Sequence, residues 1–76
     1  MKSFVKMAQE ISVVMNREYP GINLPITNKV TKVLFSQNEY DIKKFIDINS
    51  LELIQYPVLY KYLKKNMPQY YSQVWR

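Results

Sequence analysis

An all-α fold, four or five short helices in a compact bundle forming one domain over residues 1–76, is predicted by three observations. Apolar residues recur every three or four positions in several segments. The four prolines and the single glycine fall between or at the starts of those segments. The one stretch rich in β-branched and aromatic residues, VTKVLF at 30–35, has no evident partner strand, and a lone strand leaves its backbone groups unpaired.

Residues 3 to about 19 form the first helix. Phe4, Ala8, Ile11, Met15 and Tyr19 make a narrow stripe flanked by Met7 and Val14, with Ser3 as N-cap. Lys2, Lys6, Gln9 and Arg17 take the opposite side, and Val13 lies among them as an exposed hydrophobe. Tyr19-Pro20-Gly21 ends the helix, since proline cannot continue it and glycine accepts the left-handed conformation. Ile22, Leu24 and Ile26 read as an extended loop along the core edge, because Leu24 precedes Pro25. Thr27 then caps a second helix, Asn28 to Phe35, with Ile26, Val30, Val33 and Leu34 spaced for its one inner face.

Ser36 and Glu39 are spaced as a capping box for a third helix reaching about Asp47, with Ile42, Phe45 and Ile46 inward. Glu39 and Lys43 suit an i,i+4 ion pair. Asn49 or Ser50 caps a short turn carrying Leu51, Leu53 and Ile54. Pro57 opens the main C-terminal helix, Pro57 to Asn66, where its missing N–H costs nothing. Leu59, Tyr62 and Leu63 share one face of that helix, and Lys61, Lys64 and Lys65 the other. After the Met67-Pro68 break, the pairs Tyr70/Val74 and Tyr71/Trp75 predict a last short amphipathic helix. The expected core is Phe4, Ala8, Ile11, Met15, Leu24, Val30, Leu34, Ile42, Phe45, Ile46, Leu59, Leu63 and Trp75.

Composition narrows the functions. Seventy-six residues without cysteine allow no disulfide and no thiolate, and the absence of histidine removes the commonest general base and transition-metal ligand. The six acids are scattered. Asp41 and Asp47 lie about 120° apart around a helix, so they do not converge as a catalytic pair. No enzyme, cofactor, metal site or small-molecule substrate is therefore expected. Gln9 and Glu10 interrupt any apolar leader, and no run approaches spanning length, so a cytoplasmic location without membrane attachment is expected.

Two kinds of partner fit what remains. Large apolar and aromatic side chains exceed what so small a body hides, which favours a protein partner, a homodimer included. Val13, Tyr60, Tyr70, Tyr71 and Trp75 are the candidate interface residues, Tyr and Trp combining large area with a polar handle. The net charge of +5 supports the alternative, a nucleic acid held by its phosphates through Lys29, Lys32, Lys61, Lys64 and Lys65. A helix-turn-helix over 27–47 is disfavoured, because its second helix carries net −1. Abundant Lys, Asn, Ile and Tyr also match AT-rich coding, in which case the lysines only keep the chain soluble. In composition alone, the chain resembles small regulators or inhibitors encoded by phages and mobile elements.

Overall fold

The computed structural model describes residues 2–21 and 24–71. Five α-helices follow in order, α1 (Phe4–Glu18), α2 (Pro25–Phe35), α3 (Glu39–Ile48), α4 (Ser50–Leu53) and α5 (Pro57–Asn66). A 3-10 turn, Pro68–Tyr70, comes after them, and no strand occurs among the described residues. The fold is all-α. Each helix touches the next in sequence, and α1 also packs along α5, so the five close into a ring. The radius of gyration, 11.7 Å, is close to the roughly 11.4 Å expected of a compact chain this long.

The first helix begins as its sequence dictates. The Ser3 side chain accepts a hydrogen bond from the Lys6 N–H at 3.1 Å, and Gly21 turns the chain at φ +77°. The second begins earlier than Thr27. Leu24 is extended (φ −89°, ψ 122°), as the residue before a proline must be, and Pro25 is itself the first helical residue. Ile26 is thereby drawn from the expected loop into the helix, where it is fully buried. VTKVLF is helical throughout.

The third helix is capped by Asn38, not by Ser36. The Asn38 carboxamide oxygen accepts from the Asp41 N–H at 3.0 Å, while the Ser36 hydroxyl donates back to the Val33 carbonyl. Between them Gln37 sits at φ +58°, a left-handed position taken without glycine. Lys43 pairs forward with Asp47 at 2.9 Å, and Glu39, its expected partner, joins no ion pair among the described residues. Asn49 ends α3 and starts α4, donating from its side chain to the Phe45 carbonyl at 2.9 Å.

The core lies inside the ring. Ala8, Ile11, Met15, Val30, Leu34, Ile42, Ile46, Leu59 and Leu63 are buried as expected. Phe4, Leu24 and Phe45 are only half-buried, packed against that core from outside. Met7, Ile26, Leu53, Met67 and Tyr70 complete it. Trp75 and Val74 lie outside the described residues, and the 3-10 turn stands where the final amphipathic helix was expected to start.

One polar cluster ties the ring shut. Glu10 of α1 accepts hydrogen bonds from Lys2, at 2.6 Å, and from the Tyr62 hydroxyl of α5. The Lys2 bond, followed by the Tyr62 bond, holds the Glu10 carboxyl below its ordinary range. Burial, with the carboxylate beside it, pushes the Tyr62 hydroxyl far up. Among the described residues, no helix is long and apolar enough to cross a membrane.

Candidate functional site

A groove of about 390 Å³ opens where the end of α3 and all of α4 face α5 and the 3-10 turn. Its apolar lining comes from Ile46, Leu51, Ile54, Tyr60, Tyr70 and Tyr71, and its charges from Asp47 and Lys64. Local structure explains why apolar groups stand open here. A helix of four residues has one inward side, and α4 gives it to Leu53, which is 1% exposed. Leu51 and Ile54, three apart, are left outside with Ile48 of α3 beside them, at 76%, 50% and 68% exposure.

The aromatic wall is ordered by two contacts. Tyr60 and Tyr71 meet edge to face with centroids 5.7 Å apart. The Lys64 ammonium lies over the Tyr60 ring, 5.8 Å from its centroid. Burial raises the Tyr71 hydroxyl to about 12, with Tyr60 and Asp47 adding to it. That hydroxyl is buried with no hydrogen-bond partner among the described residues. An unmade buried bond costs about 1–3 kcal/mol, so Tyr71→Phe is expected to raise stability to urea by about 1 kcal/mol. A loss of stability instead would show that the hydroxyl is bonded to a group beyond the described residues.

The expected interface residues do not gather at one place. Tyr60 and Tyr71 line the groove. Tyr70 also reaches it but is 8% exposed and belongs to the core, because the 3-10 turn folds its ring inward against the bundle. Val13 is exposed, yet it lines a different, more open depression with Lys6, Gln9, Glu10, Val14 and Tyr62. Trp75 lies outside the described residues.

The lysines divide likewise. Lys29 and Lys32 line a shallow hollow with Val33, Ser36, Asp41 and Phe45, and Lys29 stands 3.9 Å from Glu52. Lys61, Lys64 and Lys65 form the outer face of α5, all exposed and in no ion pair among the described residues. Sequence reasoning missed Leu51 and Ile54 by treating 51–54 as one apolar unit. The signal was there: Leu51 and Ile54 share a side that Leu53 does not.

Among the described residues, no three acidic side chains converge to hold a metal ion. Compared with family models, curated proteins and solved structures, the chain finds no match.

Proposed function

We propose that this chain is a binding module that docks on another protein through the α3–α4–α5 groove and performs no chemistry of its own. Its mode is that of an inhibitor or adaptor, in keeping with a composition like that of phage and mobile-element regulators. The observation that carries this reading is the groove itself, where Leu51, Ile54, Tyr60 and Tyr71 present apolar area. Aromatic anchors in a partly desolvated pocket are the usual centres of protein interfaces.

A photo-crosslinking side chain at Leu51 is expected to capture a protein in cells, and the same probe at Val13 is not. Capture at Leu51 should be lost on Tyr60→Ala. Equal capture from both positions would remove the groove from the interface.

Nucleic-acid binding is the second reading, favoured by the three exposed lysines of α5, which join no ion pair among the described residues. Neutralising three phosphates predicts roughly a 40-fold loss of affinity between about 50 and 200 mM salt. Fluorescence anisotropy with mixed DNA and RNA oligonucleotides measures this directly. The docking reading expects no saturable binding at either salt. Binding with that slope, abolished by reversing Lys61, Lys64 and Lys65, would replace it.

A further inference from the structure

Resting on the docking reading, we infer that the occupant of the groove is a second copy of this chain, related by a two-fold axis. A two-fold interface must be self-complementary, each patch offering both a projection and a recess. This face offers both. Leu51 and Ile54, 76% and 50% exposed, stand on the rim of a recess of about 390 Å³.

Charge selects the same occupant. The chain carries +5, so two copies repel one another generally. The groove lining holds one acid, Asp47, which Lys43 already approaches from outside, and one cation, Lys64. A two-fold axis between them sets Lys64 of each copy against Asp47 of the other, giving two ion pairs from one pair of residues. Both groups have capacity for it. Asp47 uses Oδ2 for Lys43, and no bond to its Oδ1 is found among the described residues. Lys64 overlies Tyr60 and joins no ion pair among the described residues. An acidic partner would meet Asp47 as a like charge. At the hollow of Lys29 and Lys32, by contrast, Lys29 already stands 3.9 Å from Glu52.

The test is sedimentation equilibrium on the full chain, from about 1 μM to about 1 mM, a range that brackets ordinary dimer affinities. The wild-type chain is expected to form a dimer. Asp47→Lys or Lys64→Asp alone should weaken it at least about tenfold, because each places like charges face to face twice. The double variant, Asp47→Lys with Lys64→Asp, should regain most of the affinity, and Val13→Asp should leave it unchanged.

A chain that stays monomeric throughout overturns the inference, as does a helical double variant that fails to recover. Dimerisation that begins only when residues 72–76 are deleted would also overturn it, by assigning the groove to the chain's own end. In any of these cases, capture of a different protein from Leu51 would leave the broader docking reading standing.

Discussion

Leu53→Ala is expected to cost about 2–5 kcal/mol, the range for deleting a buried leucine side chain. Leu51→Ala, two residues away in the same turn, is expected to cost less than about 0.5 kcal/mol. The contrast follows from burial: Leu53 is 1% exposed and Leu51 76%. A domain of this length has only about 4–11 kcal/mol in all, so the first change removes a large share of it. Urea denaturation followed by helical circular dichroism measures both. Equal losses at the two positions would mean that Leu51 is covered by something the described residues do not include. In a dimer, Leu51→Ala should instead act on self-association.

The second large effect is expected at high pH. Burial raises the hydroxyls of Tyr62, Tyr70 and Tyr71, that of Tyr71 to about 12. A group with a folded pKa above its unfolded value of about 10 holds its proton more tightly when folded. Its contribution is complete below pH 10 and is lost as pH rises through the folded value. Three such groups predict a steep fall in stability between about pH 10 and 12. Tyrosinate absorbance should therefore rise in two stages over the seven tyrosines. The later stage should coincide with loss of helical signal and shrink in Tyr71→Phe. A single wave near pH 10 with the helices intact would contradict the burial of these rings.

How much of this was legible in the sequence depended on how local each cause is. Helix α1 could be read in full, because its stripe, its serine cap and its Pro-Gly stop all act within a few residues. The start of α2 was misplaced because a good cap residue, Thr27, competed with a proline two positions earlier, and the proline's preset backbone prevailed. At α3 two acceptors, Ser36 and Asn38, were available, and choosing between them required the left-handed turn at Gln37. The groove was half legible. Tyr60 and Tyr71 stand out by type, whereas Leu51 and Ile54 look like core until the four-residue length of α4 leaves them no inward side. The burial of Tyr70 was not legible, since nothing nearby in sequence shows that the 3-10 turn folds its ring against the bundle.

The closed ring also sets how the molecule comes apart. The α1–α5 seam joins elements distant in sequence, closing a loop of roughly 40 residues. The α1–α2 seam is more extensive and links neighbours. Release of Glu10 from Tyr62 lets α5 part from α1 while the α1–α2 hairpin persists. Amide protons of α5 should accordingly exchange through a smaller fluctuation than those of α1 and α2, so that the wall carrying Tyr60 and Lys64 is freed before the hairpin that faces it across the core.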